Sequence, residues 1–61
     1  MNEQYFDKWA MTQNWLNFLN IDIKDKKVDR YYVTPTGVIL KVAFSQDKLV
    51  YIKHLGEYYG N

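Results

Sequence analysis

Few groups in this chain are equipped for chemistry, and their spacing does not bring them together. Nucleophilic catalysis needs a nucleophile with a base held beside it. The sequence has no cysteine and a single histidine, His54. Ser45 falls in a predicted hairpin turn, far along the strand from that histidine. General acid–base catalysis by two carboxylates needs both to converge on a pocket, whereas Glu3, Asp7 and Glu57 are scattered along the sequence. Asp22, Asp25 and Asp29 suggest a cation loop, but the glycine and glutamate of a calcium loop are missing. Lys24, Lys26 and Lys27 lie among these acids and would compete with the ion. Nor is there a cluster of glycines ahead of a helix to cradle phosphate. The expectation is a protein that is not an enzyme and carries neither cofactor nor metal.

Binding chemistry is better represented. Six tyrosines and two tryptophans are a heavy aromatic load for 61 residues, and such rings both fill small cores and recur in contact surfaces. Two sets are candidates for partner binding. Tyr31, Val33, Lys41, Tyr51 and Lys53 gather on one face of a predicted sheet. Met11, Trp15 and Phe18 recur at i, i+4 and i+7 along a predicted helix.

The elements that position these sets follow from periodicity. From about Glu3 to Leu19 the apolar residues keep a helical period, with Tyr5, Trp9, Thr12, Leu16 and Leu19 on one stripe. Asn2 is suited to the N-cap, Glu3 and Asp7 to the positive end of the dipole, and Asn20 to the close. The stripe of Met11, Trp15 and Phe18 sits beside the first, with Trp15 and Phe18 either wrapping the sheet edge as core or staying partly exposed as a partner or dimer contact. The charged stretch Asp22–Arg30 reads as a solvated connector, with Ile21 and Ile23 tucked back against the helix end.

Three strands follow, over about 28–34, 38–44 and 49–55. Proline at position 35 cannot take the positive φ that a two-residue hairpin loop demands. A three-residue loop, a type I turn with Gly37 left-handed, fits instead. It pairs Thr34 with Val38, Tyr32 with Leu40, Arg30 with Val42 and Val28 with Phe44. Alternation then puts Val38, Leu40, Val42, Phe44, Val50 and Ile52 on a face under the helix, with Val28, Tyr32 and His54 at its margins. Tyr31, Val33, Ile39, Lys41, Ala43, Leu49, Tyr51 and Lys53 take the opposite face, which no second helix covers. Tyr58 and Tyr59, beyond the glycine at 56, are expected either to fold back and shield a sheet edge or to join the contact surface. The predicted fold is α+β, one N-terminal helix on a three-stranded antiparallel meander, as a single domain over residues 1–61.

Bulk properties narrow the function. An apolar fraction of 48% excludes a disordered segment. A core this small supplies a net stability of about 3–5 kcal/mol at most. Without cysteines to staple it, self-association or a partner chain becomes attractive, and exposed strand edges point the same way. The formal net charge of +1 gives no field to hold a polyanion. No apolar run is long enough to span a membrane, and the polar, acidic start is unlike a signal peptide. These features predict a soluble, cytoplasmic protein.

Residues Leu49-Val-Tyr-Ile-Lys-His-Leu-Gly56 resemble the last strand of RelE/HigB-type ribonuclease toxins, a family that also sets helices before an antiparallel sheet. Glu57, Tyr58 and Tyr59 follow here in place of the histidine often found in the toxin tail, so no catalytic residue carries over. The function expected is a non-enzymatic protein–protein interaction module, of the kind that bacterial or phage regulators and inhibitors use to bind a larger protein, with a homo-oligomer as a further expectation. Nucleic-acid binding through Tyr31, Tyr51, Lys41 and Lys53 is the alternative, rings stacking on bases and lysines meeting phosphate. A toxin-like ribonuclease remnant is a third.

Overall fold

The computed structural model describes residues 1–58. One helix, α1 (Glu3–Thr12), is followed by four strands, β1 (Leu16–Asp22), β2 (Lys27–Val33), β3 (Val38–Ser45) and β4 (Lys48–Glu57). The strands form one antiparallel sheet in chain order. The α+β class is as the sequence predicts, but the sheet has a fourth strand, built from the end of the predicted helix and the start of the predicted connector. Tyr59 lies outside the described residues.

α1 begins as expected. The Asn2 side chain accepts a hydrogen bond from the Tyr5 amide at 2.8 Å, satisfying one of the donors that every helix start leaves open. Asp47, from the β3–β4 turn, accepts from the Glu3 amide at 3.0 Å. The helix ends seven residues before the predicted Leu19, at Thr12. Asn14, not Asn20, takes the left-handed conformation, with φ of 60°. The Asn14 amide donates to the Met11 carbonyl and the Trp15 amide to the Ala10 carbonyl, both at 3.0 Å. This pair of reversed bonds is a Schellman closure. Trp15 then folds its ring edge-on against Trp9, centroids 5.0 Å apart, the apolar contact that usually accompanies such a closure. The line α1 buries is Phe6 and Ala10, so the predicted stripe through Tyr5 was one residue out of phase. Tyr5 points to solvent.

In the sheet, the β2–β3 register is the predicted one: Val28 opposite Phe44, Arg30 opposite Val42, Tyr32 opposite Leu40. Gly37 has φ of 88°, its amide donates to the Thr34 carbonyl, and the Thr34 amide donates to Val38, each at 2.9 Å. A Cβ at Gly37 would also run into the Tyr58 carbonyl. The other two hairpins turn through Asp25-Lys26 and Gln46-Asp47, all four at φ between 50° and 62°. Positive φ at both central residues gives a turn whose twist matches the strands.

β4 carries two bulges, where Val50 and Leu55 are the extra residues. The first bulge corrects the predicted faces. It pairs Leu49 with Phe44 and turns Leu49 under the helix, while Val50 is 58% exposed. A bulge puts two residues opposite one, so alternation cannot be carried across it.

The inner face divides into an apolar and a polar half. Val42, Phe44 and Leu49 meet Phe6 and Ala10, with the Tyr32 and Trp15 rings closing the cluster. Tyr32, placed by the sequence at the margin, is at the centre and fully buried. Toward β1, Arg30 bridges helix and sheet, reaching Glu3 at 3.1 Å and Asp7 at 2.9 Å. Its Nε donates to the Tyr32 hydroxyl, which donates to Asp7. Its Nη2, the nitrogen that meets Asp7, also donates to Asn17 Oδ1 on β1.

Candidate interaction surface

The opposite face of the sheet carries no helix, and its composition follows from register. Three rows of side chains cross it. Leu16, Val33 and Ile39 form an apolar row that ends at Gly56. Leu19, Tyr31, Lys41 and Lys53 form the middle row. Ile21, Asp29, Ala43 and Tyr51 form the third. Phe18, the bulged residue of β1, lays its ring against Tyr31 at 6.2 Å. The β1–β2 half of these rows is therefore mostly aliphatic and aromatic, with Asp29 as its one charge, and both lysines of the rows lie in the β3–β4 half.

The middle row separates two depressions. One, of about 210 Å³, has walls of Phe18, Val33, Ile39 and Tyr58. The other, of about 550 Å³, has Ala43 at its floor, Tyr51 and Val50 on one side and Asp29 and Ile23 on the other. Both are open hollows in a sheet rather than closed chambers, so they suit side chains of a partner better than a sequestered small molecule.

Electrostatics differ between the two faces. On the inner face, burial works against the charge of Arg30, yet hydrogen bonding to Tyr32 and Glu3 and the nearby Asp7 carboxylate hold it above its ordinary value. Burial, with the Asp7 hydrogen bond, raises Tyr32 to about 12, against the opposing pull of Arg30. On the open face, Lys41 stands directly across from Lys53, a like-charge pairing that costs stability in a sheet. Lys41 leans over the Tyr51 ring at 5.5 Å. Interaction with Tyr51, helped by Asp29 and Tyr31, holds its ammonium above the usual lysine value.

Of the sequence-derived candidates, Tyr31, Val33, Lys41, Tyr51 and Lys53 come together here. The helical stripe does not exist. Met11 is exposed in the last turn of α1, Trp15 packs against the core from the helix close, and Phe18 joins the open face from β1. Sequence reasoning missed Leu16, Leu19 and Ile21, because it assigned Leu16 and Leu19 to the helix and tucked Ile21 and Ile23 against its end. Both isoleucines are instead exposed. The Arg30 network was missed too, although the predicted register already put Arg30 beside Val42 under the helix, where only Glu3 or Asp7 could answer its charge. Asp22, Asp25 and Asp29 separate onto the inner face, a turn and the open face. Among the described residues no group of histidine and carboxylate side chains could hold a metal ion, and no helix is long and apolar enough to cross a membrane. No family model, curated protein or solved structure matches the chain.

Proposed function

We propose that this chain is a non-enzymatic protein–protein interaction module whose contact is the open sheet face. The observation that carries the reading is the unclad sheet face, on which Phe18, Leu19, Tyr31, Val33 and Tyr51 are gathered. Phe18 is 49% exposed and Tyr51 46% exposed. Contiguous apolar surface of this kind marks contact sites, and tyrosines supply large, rigid area at the centre of such contacts. The opposed lysines favour a partner that offers carboxylates beside an apolar patch, since a bound acid would relieve their repulsion. A regulator or inhibitor of a larger protein is the role that fits a binding face of this kind.

The test is affinity capture from the source cell with the chain as bait, repeated with Tyr31→Ala and Tyr51→Ala combined. Loss of a specific partner with an unchanged circular dichroism spectrum is the expected result. Undiminished capture by the double variant would remove the face from consideration. If the captured species is nucleic acid, released steeply as salt rises, the protein-binding reading fails.

A further inference from the structure

The two edges of the sheet are built differently. β4 is interrupted by bulges at Val50 and Leu55 and carries Lys48 and Lys53, devices that discourage edge pairing. β1 has one bulge, at Phe18, and from Leu19 onward it is regular and free of lysine. The hydrogen-bond alternation fixes which groups face outward. Thr34 bonds to Val38 across β2–β3, and Ile23 bonds to Lys27 across β1–β2. Odd-numbered residues of β2 therefore bond to β1, through Leu19 and Ile21. The N–H and C=O groups of Asn20 and Asp22 consequently point away from the sheet.

We infer that β1 pairs antiparallel with β1 of a second copy of this chain, about a two-fold axis at Ile21, to make one continuous sheet of both chains. Centred there, Ile21 faces Ile21 of the other copy and Leu19 faces Ile23, an all-apolar row on the open face. On the inner face Asn20 stands opposite Asp22, twice by symmetry. These two residues are matched as donor and acceptor. The Asn20 side-chain oxygen already accepts from Asn17 at 2.9 Å, which leaves its NH₂ group to donate. The Asp22 carboxylate, which forms no salt bridge among the described residues, receives it. The outward backbone groups of the same two residues supply the ladder bonds. A shift of the axis to Asn20 would set Asp22 across from the bulge at Phe18, whose ring lies on the other face, and a shift to Asp22 would set the two carboxylates against each other, so the side chains favour a single register.

The self-pairing is separable from partner capture on the sheet face, because Tyr31 and Tyr51 lie one and three strands away from this edge. Light scattering from micromolar to millimolar concentration should show the mass rising from 7.4 kDa toward twice that value. Ile21→Lys places like charges face to face and should keep the chain at the lower mass with its circular dichroism unchanged. Asn20→Asp preserves the acceptor for Asn17 but opposes Asp22, and should weaken the dimer about tenfold. Asn20→Lys should strengthen it by a similar factor. In a chain without cysteine, Ile21→Cys should form a disulfide between copies under mild oxidation, and Val50→Cys should not. A wild-type mass of 7.4 kDa at millimolar concentration, a dimer indifferent to the Asn20 pair of substitutions, or equal crosslinking at both cysteines would overturn the inference. Tyr31→Ala with Tyr51→Ala should leave the dimer intact, so either reading can fail while the other stands.

Discussion

The two faces of this sheet come from the same strands, yet they solve the problem of polar and apolar groups in opposite ways. Under α1 the partly buried charge is answered: Arg30 has Glu3, Asp7, Asn17 and Tyr32 around it, and no buried side-chain polar atom is left without a partner among the described residues. On the other side two lysines oppose each other and large apolar groups meet water. An interior polar group left unpaired is costly, so the covered face is tightly constrained by folding. The uncovered face is released from that constraint, and its apolar groups are free to serve the contact proposed for it.

The contrast can be broken most sharply by comparing two phenylalanines. Phe44→Ala should cost about 3–4 kcal/mol, because it opens a cavity among Phe6, Val42 and Leu49. Phe18→Ala should cost under about 1 kcal/mol, because the ring is half-exposed already. Urea denaturation of both variants decides the matter, and equal losses would mean that the open face contributes to folding as the core does.

A smaller effect should appear at high pH. Tyr32 is raised in the folded protein to about 12, from 10.0. The unfolded chain therefore loses its phenolic proton first, and the stability tied to this group is present below pH 10 and lost as pH rises toward 12. About 2 kcal/mol should disappear over that window. Tyr32→Phe should lower stability at neutral pH, through the lost bonds to Asp7 and Arg30, and flatten the alkaline decline. Thermal melts at stepped pH would show both.

The least of these effects concerns the open face. Lys53→Glu converts a like-charge pair with Lys41 into an opposite one and should raise stability slightly, read as a small upward shift of the thermal melt. The same change should weaken capture of an acidic partner. A variant that became less stable would mean the lysines are not in repulsion.

How much of this was legible in the sequence depended on local backbone chemistry. The β2–β3 register was readable because Pro35 excludes one loop and Gly37 supplies another. The open face of β2 and β3 followed from it. The end of α1 was not readable from periodicity, because the bulge at Phe18 spaces Leu16 and Leu19 three apart, which is also a helical interval. Asn14 was the available signal, along with the poor helix formers Asn17 and Asn20 and the β-branched Ile21 and Ile23. The inward turn of Leu49 had no comparable marker, since only the pairing with β3 reveals the extra residue at Val50.

The order β1-β2-β3-β4 also bears on kinetics. Each strand finds its mate across a short turn, so little chain entropy is spent before contacts reward it, and the sheet can zip hairpin by hairpin. α1 is tied in by distant partners, the Met1 carbonyl to the Leu49 amide and the Glu3 amide to Asp47. The helix is accordingly expected to dock last, and until it does, the aromatic core lies as bare as the opposite side.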